Sequence, residues 1–261
     1  MRGGAHRFQA GQAAVETAIV VPLMTFFILG ILQLTLMHQA SLMLEYAAFN
    51  AARSGAVWNM DKDRMKQAAL VSLLPTMQPV RDLADVVTGY AKAKIKDEAA
   101  ETLLGMPLVD VQVLTPKKAD FGKNKEIEFD AGDRKKTQMT IRVAYLYEMH
   151  IPFANFLIFE SWWASLVGQD LRGKSASLAF VDTKKVQLSR LQSGDFTKSC
   201  KYTGLNDSKM KKLRWVATLS GRYFKPLVTT YTMRMQSNPF LHKPGDSGAQ
   251  WAGPDEGDDG C

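Results

Sequence analysis

The chain has 261 residues, is 46% hydrophobic and 23% charged, and carries a formal net charge of +7. That length buries a real core, in one domain or two small ones. The excess of positive charge is modest, both signs are mixed along the chain, and no basic–aromatic pattern marks a nucleic-acid surface, so nucleic acid is excluded as an expected partner.

The first stretch, Met1 to Gln12, holds Arg2, His6 and Arg7 and no acid. Then comes an apolar run, AAVETAIVVPLMTFFILGILQLTLM, from Ala13 to Met37. From Thr17 to Leu44 there is no Asp, Glu, Lys or Arg. An apolar run of ~18 or more residues reads as a membrane span rather than a core helix. Thr25, Gln33 and Thr35 interrupt it, Pro22 should bend it and Gly30 should soften it. As one helix, Thr17 to Leu44 is ~42 Å long against a hydrocarbon core of ~30 Å, so it tilts or stands clear of the bilayer on one side. Beyond it, Glu45, Arg53, Asp61, Lys62, Asp63 and Arg64 mix both signs, which places the basic N-terminus in the cytoplasm. A secretory signal peptide competes, but its apolar region is shorter, ~7–15 residues, and His38-Gln39-Ala40 makes a poor cleavage site.

Glu16 stands at the edge of this run, five residues past Gly11. An acid there either sits in the headgroup region, favoured by the helix dipole, or has a partner within lipid. With its short basic leader, Gly11 and Glu16, the segment resembles a prepilin processing site. The resemblance implies cleavage between Gly11 and Gln12 by a prepilin peptidase. The new ammonium at Gln12 would then be neutralised by Glu16 of the same or a neighbouring subunit. GQAAVETAIVVPLMTFFILGILQL and the later EYAAFNAARSGAV together resemble the TadE-like family of tight-adherence (Flp) pilus assembly proteins, with Thr17 where members usually carry an aromatic. The resemblance implies a single-pass, pseudopilin-like protein of the bacterial inner membrane. Its N-terminus is cytoplasmic, the bulk of the chain is exported, and its partners are membrane lipids, other pilin-like subunits and pilus assembly proteins.

After Met37 the helix is expected to continue as a stalk. Ala47, Ala51 and Gly55 fall at four-residue spacing, as do Ala48 and Ala52. Such a stripe lets two backbones approach closely, either between subunits or against the protein's own globular part. Trp58 is assigned to the soluble fold. Asp61 caps a helix that Pro75 should end. Arg81 to Leu104 reads as the next helix, with Leu83, Val86, Val87, Tyr90 and Ile95 as a broken apolar stripe and Gly105 and Pro107 as its stop.

The period then changes. Leu108 to Leu114 alternates as a strand, and Pro116 to Lys136 is a charged loop with a short strand at Glu126 to Phe129. Thr137 to Met149 is the best strand in the chain. Ile151 to Val167 is apolar and aromatic but interrupted by Asn155 and Glu160; it reads first as domain core, then as a helix on the membrane surface, and last as a second span. Gly168 to Ser175 (GQDLRGKS) fits the phosphate-binding pattern, but its flanks do not, and a basic turn between strands is the expected structure. Lys174 to Phe180, Leu213 to Leu219 and Leu227 to Met235 read as strands, Lys184 to Lys212 as loop, and the Gly- and Asp-rich tail from His242 as disordered.

Two cysteines, Cys200 and Cys261, are too few for a disulfide scaffold. They are a candidate disulfide in an oxidising compartment, or stay unpaired. The four histidines are too far apart in sequence for a metal-ligand spacing, and no hydrolase motif occurs. Neither a cofactor nor a catalytic site is expected. The expected architecture is α+β: a leader (1–11), a transmembrane and stalk helix (12–57), an exported domain of helices on a mostly antiparallel sheet (58–241) and a flexible tail (242–261). The expected function is a minor pilin-like component or assembly factor of a Flp pilus. The alternative is a membrane-anchored envelope-binding module that enters no filament.

Overall fold

The computed structural model describes residues 7–117, 120–121, 127–130, 137–174 and 207–239. Its first element, α1, is one continuous helix, Arg7–Val57. Pro22 lies inside α1 without interrupting it. The second half of α1 belongs to the domain: Ala40, Leu44, Ala47, Ala48, Ala51, Ala52 and Ala56 are all buried. This half packs along the next helix and across two strands of the sheet.

Helix α2, Lys62–Met77, starts where Asp61 accepts from the N–H groups of Asp63 and Arg64, as the sequence implies. Pro75 does not end it; the helix runs two residues further, because the last turn gives up few intrahelical bonds. Helix α3, Leu83–Leu104, stops at Gly105, whose φ of 69° is the left-handed conformation that glycine adopts at no cost. The apolar stripe expected on α3 is only partly its buried face: Val86 and Tyr90 are half-buried against the core. Leu83, Val87 and Ile95 are exposed, whereas Gly89, Ala93, Asp97, Ala100 and Leu104 face inward. Small side chains at spacings of four and three set a close approach to α2, and this outweighs the size of the apolar residues on the other side.

Three antiparallel strands form the sheet, in the order β1 (Val109–Thr115), β2 (Gln138–Met149), β3 (Tyr223–Arg234). Val111 opposes Val143, which opposes Thr229 on the other side. The odd-numbered residues of β1 and β2 from Val109 to Val113 and from Met139 to Tyr147 are buried, which gives the sheet one core face, the expected alternation for an antiparallel sheet. Toward the far end of β2 the other face is buried too, at Leu146 and Phe224.

Two more helices complete the described structure: α4, Ala154–Lys174, and α5, Asp207–Ser220. Helix α5 corrects two expectations, a loop up to Lys212 and a strand over 213–219. Its buried residues Met210, Leu213 and Ala217 follow the helical period, which the local alternation of LRWVATL disguises. Strand β3 begins four residues before the expected Leu227. It runs through Pro226, which an edge strand tolerates because its N–H would point away from the ladder. Ile127 to Phe129 form no strand among the described residues. The strand expected at 175–180, the loop at 184–206 and the tail from 242 lie outside the described residues.

Candidate functional site

Helix α1 divides near Gln33. Before it, the helix is largely uncovered: Ile19, Leu23 and Phe27 are each about two-thirds exposed (67%, 68% and 67%). A rod of this kind is unfavourable in water at roughly 25 cal/mol per Å² of apolar surface. Its threonine hydroxyls need no outside partner. The hydroxyls of Thr17, Thr25 and Thr35 each donate to the carbonyl four residues earlier, at 2.8, 2.9 and 2.9 Å. Among the described residues α1 is the one helix long and apolar enough to cross a membrane, with a mean hydropathy of 2.3 in its most apolar window.

Gly11 and Gln12 lie within α1, ahead of the exposed rod. Glu16 is exposed, and among the described residues no cation pairs with it. The small-residue stripe is placed differently from a subunit contact. Ala47, Ala48, Ala51 and Ala52 are completely buried, and Gly55 packs so closely that a methyl there would run into Met65 Sδ and press on the end of Met139. Of the two readings left open by the sequence, packing against the protein's own domain is the one observed. Cys200 and Cys261 lie outside the described residues. Gly168 to Lys174 continue helix α4, neither the expected turn nor the loop that a phosphate needs.

Gln33 is the residue that sequence reasoning missed. It is fully buried at the point where rod becomes domain, and its side-chain carbonyl accepts from Ile151 N–H at 2.9 Å. That bond ties α1 to the corner between β2 and α4. Beside it the ring of Phe153 meets Phe26 edge-on, with centroids 5.8 Å apart. The signal was present in the sequence: Thr25 and Thr35 can satisfy themselves on their own helix, whereas a glutamine amide amid apolar residues needs a partner from elsewhere. Of the aromatic residues between Ile151 and Val167, part joins the core and part does not: Phe153 and Phe156 are exposed. Phe159 and Trp163 are buried, and Phe159 lies 5.3 Å from Tyr223.

Helices α3 and α5 and strand β2 line an apolar groove of about 350 Å³. Leu103, Tyr145, Trp215, Leu219 and Phe224 contribute to its walls. At its end Arg222 donates twice to Glu148, at 2.6 and 2.7 Å. These hydrogen bonds hold the Glu148 carboxyl below the usual carboxylate range, against an opposing effect of burial. Burial pushes the Tyr145 phenol up to about 12, and its hydroxyl lies 3.3 Å from that of Thr76. No cluster of His, Cys, Asp or Glu suited to a metal occurs among the described residues.

The arrangement defines a class of protein: an α+β domain built around the second half of a helix whose first half is a bare apolar rod. Residues 11–53 match the family model for TadE-like protein. The match covers the whole rod and runs into the part of α1 that the domain buries. That family implies association with the Tad pilus. No curated protein matches the chain, and no solved structure does.

Proposed function

We propose that this chain is a minor pilin-like component or assembly factor of a Flp-type pilus, anchored in the inner membrane by residues 13–36, with the domain exported. The observation that carries the reading is the coincidence of the TadE-like match with the exposed rod. The basic leader and the mixed charges beyond the rod support a cytoplasmic N-terminus. A prepilin peptidase cuts between Gly11 and Gln12. Glu16 then neutralises the new ammonium, its own or a neighbour's. Because the alanine stripe is taken up inside the domain, contact with other subunits runs through the rod rather than the stalk. The role is structural rather than catalytic.

The mass of the N-terminal peptide, made with and without a prepilin peptidase, tests the cleavage. A chain that begins at Gln12 only when the enzyme is present is the expected result. Glu16→Ala should leave membrane insertion intact and reduce pilus assembly; normal piliation in that variant would count against the role given to Glu16. The groove between α3 and α5 favours a second reading, an anchored binding module outside the filament, and an uncleaved chain in mature cells is its signature.

A further inference from the structure

We infer that the corner between β2 and α4, with Phe153, Phe156 and Leu157, is inserted in the bilayer beside α1 as a second membrane contact of the domain. The inference rests on the reading of the rod as a membrane span. Its first support is depth. A hydrocarbon core of ~30 Å takes ~20 residues of helix. The apolar, nearly charge-free stretch allows such a window to run from Ala13–Leu32 to Thr17–Leu36. Phe26 lies ~9 to 15 Å inside the domain-side boundary in every such placement. Phe153 touches Phe26, so it lies within the hydrocarbon too.

The second support is what the corner exposes. Phe153, Phe156 and Leu157 are 63%, 48% and 56% exposed, on a surface continuous with the rod. Scattered apolar residues at such exposure are ordinary in water, but here they share one turn of chain at one depth. Polar character returns one turn later at Glu160, which pairs with Arg214 of the domain.

The third support is the backbone. Lipid offers no hydrogen bonds, so irregular chain at this depth must satisfy itself. Ile151 N–H is taken by Gln33, Ala154 by Pro152 O at 2.8 Å, Asn155 by Ile151 O at 3.0 Å and Leu157 by Phe153 O at 3.2 Å. Phe156 N–H finds the Asn155 side-chain oxygen at 2.7 Å and Pro152 has no N–H to satisfy, so Phe153 is the one residue from 151 to 157 whose N–H has no partner among the described residues. The first turn of a helix ordinarily leaves these donors to water. Phe153 itself holds a φ of 64°, rare for a bulky residue, and so presents its ring toward α1.

The test uses the full chain with Cys200 and Cys261 changed to Ser, reconstituted in phosphatidylcholine–phosphatidylglycerol vesicles. An environment-sensitive fluorophore is attached in turn through Phe153→Cys, Leu157→Cys, Phe27→Cys on the rod and Val87→Cys on the exposed face of α3. Lipids brominated on their acyl chains should quench positions 153, 157 and 27 alike, and aqueous iodide should quench position 87 alone. Iodide quenching at 153 and 157, with 27 still quenched by lipid, overturns the inference and leaves the span standing. Shielding of 153 and 157 from both quenchers also overturns it, since a protein surface then covers the corner. If position 27 is not quenched by lipid, the membrane reading of the rod fails, and the inference with it.

Discussion

At the scale of single residues, buried polar groups among the described residues hold elements together. Asp97 is 3% exposed, yet its carboxylate joins three elements. It accepts from Val109 N–H at the start of β1, at 3.0 Å, and pairs with Lys66 of α2 at 2.6 Å. Removing one partner of a buried pair leaves the other unsatisfied, which costs more than the pair contributes. Asp97→Ala should therefore destabilise the domain by roughly 2–4 kcal/mol, and Asp97→Asn by less, because the amide oxygen still accepts from Val109. Denaturant unfolding of both variants checks the order; equal losses would refute the role given to the Val109 bond. The Glu148–Arg222 pair is more exposed, so screening limits it to about 1 kcal/mol. Its pH dependence has a definite sign. The folded carboxyl titrates below its unfolded value, so the contribution is fully present above the unfolded carboxylate pKa of ~4.3 and is lost as pH falls through the lower folded value. Melting curves of wild type and Arg222→Ala should differ near neutral pH and converge in acid.

At the scale of elements, the long, strongly patterned pieces were legible in the sequence. The apolar rod, the Asp61 cap, the Gly105 stop and β2 stand where their residues put them. Helix α5 and the start of β3 were not legible, and the reason differs for each. LRWVATL satisfies a period of two over seven residues, and only Met210 upstream reveals the helical spacing. Pro226 reads as a break until the sheet order shows that β3 is an edge. On α3 Leu83, Val87 and Ile95 pointed to the wrong face, because proximity to α2 selects for small side chains, whereas Val86 and Tyr90 do pack against the core. The candidate site was half legible: the rod could be read from local pattern, but Gln33 gains meaning only from Ile151, far away in the chain. The alanine stripe was recognised as a packing surface, and its partner is internal. Ala51 is fully buried where α1 crosses α2 and the sheet. Ala51→Leu should overpack this crossing and lower stability by roughly 1–3 kcal/mol or more, while Ala51→Ser should cost less. A cooperative thermal melt of the leucine variant at the wild-type temperature would return the stripe to the subunit interface.

At the scale of the whole molecule, the boundary that matters physically does not coincide with the end of the long helix. The helix leaves the domain near Gln33, and from Ala40 to Ala56 its inner face lies in the same core as α2 and the sheet. A single helix therefore serves two solvents. Its first half suits lipid because from Thr17 onward it carries no charge and its threonines bond their own helix. Its second half suits a protein interior because its side chains are small enough for α2 to approach. This coupling means that a push on the rod is delivered straight into the domain core, with no linker to absorb it. It also predicts which soluble fragment can fold. A chain beginning at Met37 keeps the whole inner face of the stalk, whereas one beginning at Asp61 exposes the residues that α1 covered on α2, β2 and β3. Losing that many buried contacts exceeds the ~5–15 kcal/mol that stabilise an ordinary domain. The Met37 fragment should unfold cooperatively with well-dispersed NMR signals, and the Asp61 fragment should show neither. A folded, monomeric Asp61 fragment would mean that the stalk is an appendage, and that forces on the rod stop short of the sheet.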